Sequence, residues 1–294
     1  MRRGLLAAAV LSVPLFQLLA GGPASAGPPA EARRTALIVG VSGHVGNRPA
    51  APVGGAGDAD TFRDVLKRAG WADDSIRVLT GTAATGANIR AGLDWLRDRS
   101  NDGSFSVFHY SGHVFQRGGD LDRDGEVLDE FLVPYDNKII SDRELGERLG
   151  SVRGWLWTDI SGCEAAGFNE GGLFGDRRLF TGSSEEHQKS YEHPGWGMSI
   201  YTGLTMRFAA MENRGDANGD GVVSIQEMFR HAEREAPRLT SGQRKGVQQP
   251  VMFGGGAGGD WFLSGPPKPP PPPPGPLAPN PNAGKICLLP DICI

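Results

Sequence analysis

The 294-residue sequence has only three cysteines, and they are unevenly placed. Cys287 and Cys293 stand six positions apart near the C-terminus, whereas Cys163 stands alone in the middle of the chain. In an exported protein the C-terminal pair is expected to close into a disulfide. Cys163 is then left over, either as a small buried apolar residue or as a reactive thiol.

The sequence also lacks a basic run and any stripe of basic and aromatic residues, and its formal net charge is −4. Proteins that bind nucleic acid usually carry clustered positive charge. Nucleic acid is therefore not an expected partner.

The apolar stretch near the N-terminus is interrupted by Pro14 and is short for a bilayer span. Arg2 and Arg3 precede it, and the small residues Ala24-Ser25-Ala26 follow it, as in a secretory signal peptide over residues 1–26. An uncleaved N-terminal anchor is the alternative. We expect a secreted, extracellular protein with no stable membrane span after signal cleavage, in oxidising and calcium-rich surroundings.

The C-terminal segment 266–294 begins with a polyproline run and ends at Cys293 and Ile294. Such a segment is stiff and extended and cannot build a core. It is expected to serve as a spacer, as an arm contacting the cell wall, or as a ligand for a partner.

Residues 33–265 are expected to form one α/β domain. Apolar runs predict strands at residues 35–41, 75–79, 105–110, 154–160, 178–182 and 249–253, and helical patterns fall at 58–69, 87–99 and 198–211. Asp58 is expected to cap the first helix. Strands that alternate with helices predict a mostly parallel six-stranded sheet covered on both faces.

Three chemically interesting residues follow predicted strands: His44 the first, His113 the third and Cys163 the fourth. In open α/β sheets the functional loops gather at the carboxyl ends of the strands. If consecutive strands are neighbours, His113 and Cys163 face each other there, whereas His44 is expected to be an ordinary loop residue.

A thiol is mostly protonated near neutral pH, so a reactive cysteine needs a proton acceptor nearby. His113 within hydrogen-bond reach would take the proton from Cys163 and later give it to a leaving amine. The backbone N–H groups of Gly112 and Cys163 are candidate donors of an oxyanion hole. A packed inert cysteine and a structural histidine are the alternatives.

These residues carry a resemblance to a known family. The segment 108–114 (FHYSGHV) resembles the Tyr-Ser-Gly-His segment of caspase-fold peptidases, particularly bacterial metacaspase-like proteins, and 157–168 (WTDISGCEAAGF) resembles their nucleophile segment. Shorter matches fall in the same order at 57–60, 129–136 and 249–250, so that the resemblance covers about residues 34–254. It implies a three-layer αβα sandwich and a cysteine endopeptidase acting on peptides or proteins through a Cys163–His113 dyad.

The resemblance also concerns the substrate. The family usually has an aspartate two residues before the nucleophile, which helps bind a basic substrate side chain; Ser161 stands there in this chain, and Asp159 lies four before. Glu185 and Glu186 fall where the family often has an acidic pair. These four residues are candidate substrate contacts and favour cleavage after Arg or Lys. A turn role for Asp159 and a solvated face for the glutamates are the alternatives.

A calcium-type loop runs from residue 216 to 227 and has the oxygen-ligand order of an EF-hand, with Gly221 at its sixth position. The candidate Ca²⁺ ligands are Asp216, Asn218, Asp220, Val222, Ser224 and Glu227.

A partial second loop, Asp120-Leu-Asp122-Arg-Asp124-Gly125, has Phe131 at position twelve, and Asp129 and Glu130 are possible substitutes there. A solvated acidic loop is the alternative. Metacaspases are often activated by Ca²⁺ bound in the corresponding region, so the resemblance implies calcium-dependent activity.

Ser161 and Glu164 depart from the family pattern, since a His or Tyr usually follows the nucleophile. They support the alternative of a catalytically inactive caspase-fold protein that binds calcium or acts as a scaffold.

Overall fold

The computed structural model describes residues 27–47, 53–121, 123, 125, 127–255, 259–265, 287–289 and 292–293. The predicted signal peptide (1–26), Asp122, Asp124 and most of the predicted C-terminal segment 266–294, with its polyproline run, lie outside these residues.

The strands, in chain order, are β1 (Arg33–Gly40), β2 (Ile76–Thr80), β3 (Ser104–Ser111), β4 (Val114–Gly118), β5 (Leu128–Leu132), β6 (Ile140–Ser141), β7 (Trp155–Ser161), β8 (Arg178–Gly182), β9 (Glu192–His193), β10 (Met198–Ser199), β11 (Val251–Gly254), β12 (Cys287–Leu289) and β13 (Ile292–Cys293). The helices are α1 (Gly55–Arg68), α2 (Gly86–Arg99), α3 (Asp142–Gly150), α4 (Ile200–Thr202), which continues as a π-helix over Gly203–Met211, and α5 (Ile225–Thr240). Short 3₁₀ turns occur at Val45–Asn47, Asp73–Ser75, Gly81–Ala83, Ala165–Phe168 and Gly171–Leu173.

Six strands form the central sheet in the order β11-β8-β7-β3-β1-β2. All neighbours are parallel except β11, which runs antiparallel to β8. The predicted mostly parallel six-stranded sheet is therefore confirmed, and the third and fourth predicted strands, β3 and β7, are neighbours.

Helices cover both faces of the sheet because its inner strands are apolar on both sides. Leu37 and Val39 of β1 pack with α2 and α3, whereas Ala36 and Ile38 pack with α1, the π-helix and α5. This alternation follows from the two-residue side-chain period of a strand. The result is a three-layer αβα sandwich.

Three features differ from the expectations drawn from the sequence. Asp58 is not the N-cap of α1; Gly54 occupies that position, and Asp58 is fully buried in the first helical turn. The segment between His113 and α3 forms an additional three-stranded sheet, β4-β5-β6. The helix before the calcium-type loop is largely π-helical.

Cys287 pairs in backbone register with Cys293 across the β12–β13 hairpin. The expected disulfide stays a prediction. Over the part of the chain that the structure covers, no helix has both the length and the apolar character needed to cross a bilayer.

Candidate active site

The backbone register brings His113 and Cys163 to the same edge of the sheet. Ser111 of β3 is the register partner of Ser161 of β7, and each candidate lies two residues beyond its strand. A Cβ atom added to Gly162 would lie 2.7 Å from Val114 Cγ2, so the two loops approach as closely as a glycine allows. Both candidates are partly accessible to solvent.

The Tyr110 side chain stabilises the loop that carries His113 through hydrogen bonds. The Tyr110 hydroxyl donates to the His113 carbonyl oxygen at 2.8 Å and accepts from the Val133 N–H at 3.2 Å. Burial raises the pKa of Tyr110, so its hydroxyl keeps the proton that it donates. A Cβ atom on Gly112 would lie 2.7 Å from that hydroxyl oxygen, which explains the glycine.

His44 is more than the ordinary loop residue that the sequence suggested. It is 8% exposed, and its ring centroid lies 5.6 Å from that of His113. Its Nδ1–H donates to the Pro134 carbonyl oxygen at 3.0 Å. Burial, in the first place, lowers the pKa of His44, and the charge of His113 lowers it further. A neutral imidazole therefore packs beside the candidate base.

Two serines that directly follow β8 stabilise the turn that carries Cys163. Ser183 Oγ accepts from the Gly162 N–H at 2.9 Å, and Ser184 Oγ accepts from the Ala165 N–H at 3.2 Å. Within the described residues the Cys163 N–H donates to no acceptor. The role of this N–H as an oxyanion donor stays a prediction.

Gly112 does not have the role expected of it. Its N–H donates to the Ser161 carbonyl oxygen at 3.2 Å, which extends the β3–β7 ladder by one bond. A backbone donor already used in this way is not free to stabilise an oxyanion. The expectation for the Gly112 N–H is therefore wrong for this conformation.

Glu164, directly after the cysteine, is buried and has left-handed backbone geometry (φ 51°). Its carboxylate forms an ion pair with Lys189. A β-branched residue would be strained at this position, and an unpaired carboxylate would be costly to bury. The unusual residue at this position is thus accommodated by a local partner.

Cys163 opens into a cavity of about 380 Å³. The cavity lies between the segment after β8 and the loop after α5, and it is lined by Cys163, Lys189, Ser190, Tyr191, Gln243, Arg244 and Lys245. Cys163 Sγ lies 3.9 Å from the Ser190 carbonyl oxygen. A peptide chain has room beside the thiol.

Asp159 lies inside the protein and is only 1% exposed. One carboxylate oxygen accepts from His109 Nδ1 at 2.7 Å, and the other accepts from Thr181 Oγ1 at 2.5 Å and from the Tyr201 hydroxyl at 2.8 Å. Both oxygens are satisfied by protein donors. The structure therefore does not place Asp159 where a substrate side chain could reach it, which corrects that expectation.

Ser161 belongs to a second polar cluster, around the buried carboxylate of Asp58. Ser111 Oγ and the Ser199 N–H donate to the two Asp58 oxygens at 2.5 and 3.0 Å, and Ser161 Oγ lies 2.9 Å from Ser199 Oγ. Burial, above all, raises the pKa of Asp58, although these donors oppose the effect.

Glu192 is a residue that the sequence did not single out. It is exposed as a residue, but its carboxylate lies against Gly54 close to Asp58. Desolvation, together with the charge of Asp58, raises its pKa to about 7. Glu192 thus places a second carboxylate close to Asp58, whose hydrogen-bonded cluster includes Ser161. A long connection separates Glu192 from Asp58, so no local motif pointed to the pair.

The other two predicted substrate contacts lie in the turn after β8. Glu185 is exposed, and its carbonyl oxygen accepts from the Gln188 N–H at 3.0 Å. Glu186 is partly exposed, and its carbonyl oxygen accepts from Gln116 Nε2 at 2.9 Å. The substrate-binding role of these two side chains stays a prediction.

The loop 216–227 has the turn that a calcium loop requires. Gly221 has a φ of 84°, and its N–H donates to Asp216 Oδ2 at 3.0 Å. Glu227 lies in the first turn of α5, and its carboxylate accepts from the Ala217 N–H at 3.2 Å and from the Ser224 N–H at 2.9 Å. The twelfth-position carboxylate therefore returns to the start of the loop, as an EF-hand needs.

The remaining predicted ligands lie along the same loop. Asn218 Oδ1 accepts from the Asp220 N–H at 2.8 Å, and Asp220 Oδ1 accepts from the Val222 N–H at 2.9 Å. Among the residues that can be described, no three His, Cys, Asp or Glu side chains stand in metal-holding geometry. The oxygen types and their order suit Ca²⁺, but the side-chain oxygens of Asn218 and Asp220 accept hydrogen bonds from backbone N–H groups of the loop.

The partial loop after β4 is described only in part. Asp120 Oδ1 accepts from the Gly125 N–H at 3.3 Å, and Asp129 folds back to accept from the Leu121 N–H at 2.7 Å. Glu130 Oε1 accepts instead from Gln116 Nε2 at 2.6 Å. A ligand role for Asp120 stays a prediction.

A mostly parallel six-stranded sheet between two helical layers defines the caspase-like sandwich class. A protein of Geobacter sulfurreducens, GSU0716, has the same fold: its crystal structure superposes with a TM-score of 0.57 over 75% of this chain and 92% of its own, at 17% identity.

Sequence comparison shows which family of this fold class the chain resembles. Residues 34–152 match the family model described as Metacaspase, peptidase C14 domain. Metacaspase-4 of Arabidopsis thaliana is 31% identical over 114 residues, which are 36% of this chain and 27% of that protein. Metacaspase-9 of the same plant is 34% identical over 112 residues, 35% of this chain and 34% of that protein. The chain thus spans between a quarter and about a third of these relatives' lengths. The family match includes His113 and ends before Cys163.

Proposed function

We propose that this protein is a cysteine endopeptidase with Cys163 as nucleophile and His113 as general base. The observation that carries the proposal is the register of β3 and β7, which sets both residues two positions beyond a paired serine at one sheet edge. The cavity beside Cys163 and the metacaspase match of residues 34–152 support it.

The reaction follows from the chemistry of the two groups. His113 takes the proton of the Cys163 thiol as sulfur attacks the peptide carbonyl carbon, and the oxyanion is stabilised by the Cys163 N–H. His113 then gives that proton to the leaving amine, and a thioester remains on sulfur. A water molecule, deprotonated by His113, hydrolyses the thioester and restores the thiol. Neutral His44 beside His113 would add no competing positive charge as the imidazolium forms.

The proposed substrate carries Arg or Lys at the residue before the cleaved bond. Glu192, whose carboxylate lies against Gly54 and close to the buried Asp58, supplies the negative charge that would bind the cation. This assignment replaces Asp159 as the acidic partner. Because Glu192 has a pKa of about 7, its charge grows between pH 6 and pH 8.

Replacing Glu192 with glutamine tests the substrate class. We expect kcat/KM for Arg and Lys reporter peptides to fall by about tenfold, with little change for a peptide that has a neutral residue at that position. In the wild type, KM for the Arg peptide should improve as pH rises from 6 to 8, and Glu192→Gln should lose that part of the pH dependence. The exposed Glu233→Gln on α5, which does not line the cavity, is the control. Equal kcat/KM for Arg and neutral peptides in the wild type would rule out the basic preference.

Calcium binding is the second part of the proposal. The ligands would be Asp216, Asn218, Asp220, Ser224, Glu227 and the Val222 carbonyl oxygen, with Asp120 in a separate acidic loop. When bound, Ca²⁺ supplies positive charge that neutralises the clustered carboxylates. The chain's own contribution is the tight turn at Gly221 and the return of Glu227 to Ala217, which support this ligand set.

Glu227→Gln isolates the calcium role from the helix-capping role. Ser224 and Glu227 form a capping box at the start of α5, and glutamine preserves such a box. Calcium at about a hundred times its dissociation constant should stabilise the wild type by ~2.7 kcal/mol. For a domain of this size that corresponds to a Tm rise of roughly 5–10 °C. Measured against its own calcium-free Tm, the variant should lose the rise, while exposed Glu233→Gln should show the wild-type rise. An equal rise in Glu227→Gln would exclude this loop.

We further propose that the protein is exported, on the basis of residues 1–26, and that its proline-rich tail contacts the cell wall or a partner. The competing function is an inactive calcium-binding module of the same fold. Glu164 favours it, since its buried ion pair with Lys189 fills the position next to the nucleophile. Lack of labelling of Cys163 by a thiol-directed electrophile would support that alternative.

A further inference from the structure

Three basic side chains line the cavity beside Cys163, and its described lining residues include no acidic one. Of its three basic side chains, Lys189 is neutralised by Glu164. Arg244 and Lys245 are exposed, and within the described part of the chain neither forms an ion pair. The protein as a whole is acidic, with a formal net charge of −4. The positive charge of Arg244 and Lys245 beside the nucleophile is therefore opposite in sign to the net charge of the protein.

The turn that carries these cations is fixed against the cavity. The Gly246 N–H donates to the Gln243 carbonyl oxygen at 3.1 Å and closes the turn, and Gly246 has a φ of 97°, which favours glycine. The Tyr191 hydroxyl donates to the Gly246 carbonyl oxygen at 2.7 Å. Tyr191 itself lines the cavity. The two cations are thereby held at the wall of the cavity.

The charges around the site are separated in space. The Glu192 carboxylate lies against Gly54 and close to Asp58, whereas Arg244 and Lys245 line the cavity beside Cys163 in a turn that Tyr191 contacts. A peptide that places a basic residue toward the carboxylates would bring a neighbouring residue toward the cations. Electrostatic complementarity then selects for an acidic neighbour and against a basic one.

We propose that Arg244 and Lys245 form a subsite that selects an Asp or Glu side chain near the cleaved bond of the substrate. The inference rests on the proposed peptidase function and adds a second specificity determinant to it. The guanidinium of Arg244 can hold a carboxylate through two parallel hydrogen bonds, and Lys245 adds a point charge. Because both side chains are exposed, the expected preference is modest, about three- to tenfold.

The test uses the full mature chain with Ca²⁺ and reporter peptides that share one Arg at the cleaved position. Asp, Asn or Lys is placed in turn at each of the neighbouring positions, and kcat/KM is measured at low and at high salt. The variants are the neutral Arg244→Gln/Lys245→Gln and the reversed Arg244→Glu/Lys245→Glu. A matched control, Arg230→Glu/Arg234→Glu, makes the same charge change on exposed residues of α5 that do not line the cavity.

We expect the wild type to prefer Asp over Asn by about three- to tenfold at one or more positions, and less at high salt. The neutral variant should lose the preference, the reversed variant should prefer Lys, and the α5 control should retain the wild-type pattern. Equal kcat/KM for Asp and Asn at every position, with Arg peptides still cleaved, would overturn the subsite and leave the peptidase function standing. If no peptide is cleaved, the proposed function fails and the subsite with it.

Discussion

Cys163→Ala is expected to lower kcat/KM for an Arg reporter peptide by on the order of 10⁴-fold or more. Only the contributions of substrate binding and of the oxyanion donor then remain. Alanine removes the sulfur that forms the thioester, and no other cysteine is described near this sheet edge. Hydrolysis is followed with the mature chain in the presence of Ca²⁺, before and after the substitution.

The site allows matched controls for this result. Cys163 is partly exposed and its Sγ makes only a long contact to the Ser190 carbonyl oxygen, so Tm should change little on substitution. His113→Ala should lose activity to a similar extent, because nucleophile and base act as one unit. Activity retained at more than a tenth of the wild-type value in Cys163→Ala would refute the assignment of the nucleophile.

The second large effect concerns stability. Asp159→Ala is expected to reduce the free energy of unfolding by about 3–5 kcal/mol, because it leaves the buried His109, Thr181 and Tyr201 donors without their shared acceptor. Denaturant unfolding monitored by tryptophan fluorescence measures the loss, since Trp157 donates to Thr181 Oγ1 at 2.8 Å within the same network.

The exposed Asp176→Ala serves as the comparison and should change the free energy of unfolding by less than about 0.5 kcal/mol. If Asp159 instead contacts substrate, Asp159→Ala would leave stability nearly unchanged and would weaken binding of Arg peptides. A loss below about 1 kcal/mol would therefore contradict the structural role.

Most of the central sheet could be predicted from the sequence because its strands are buried on both faces. The strands β1, β3 and β7 are buried almost throughout and carry large apolar side chains on both faces, as parallel strands between helices do. Placing His113 and Cys163 at one edge needed only the assumption that the third and fourth predicted strands are neighbours. These strands correspond to β3 and β7, which are adjacent in the sheet. Hydrophobic pattern and strand order together were sufficient for this part of the site.

The acidic part of the site could not be predicted in the same way. Asp159 and Ser161 share one face of β7, and what they meet there depends on residues that arrive from α1 and α4. Tyr201 and Thr181 satisfy Asp159, whereas Ser199 joins Ser161 to the Asp58 cluster. Such contacts between distant segments leave no periodic signal in the sequence.

The role of Gly112 could be predicted only in part from the sequence. Gly112 was expected to free its N–H for an oxyanion, but the β3–β7 ladder continues one residue past the strands and uses that N–H. The glycine is required for another reason, the close approach of the Tyr110 hydroxyl. A glycine in a sequence signals a backbone constraint, and only the fold says which constraint applies.

The central claim is that His113 acts on the thiol of Cys163, and the rate of Cys163 alkylation by iodoacetamide at pH 6.5 tests it most directly. We predict that the folded wild type is alkylated at Cys163 at least about tenfold faster than His113→Ala, whereas a charge change at distant Arg230 has no effect. Equal alkylation rates in the wild type and in His113→Ala would contradict the account.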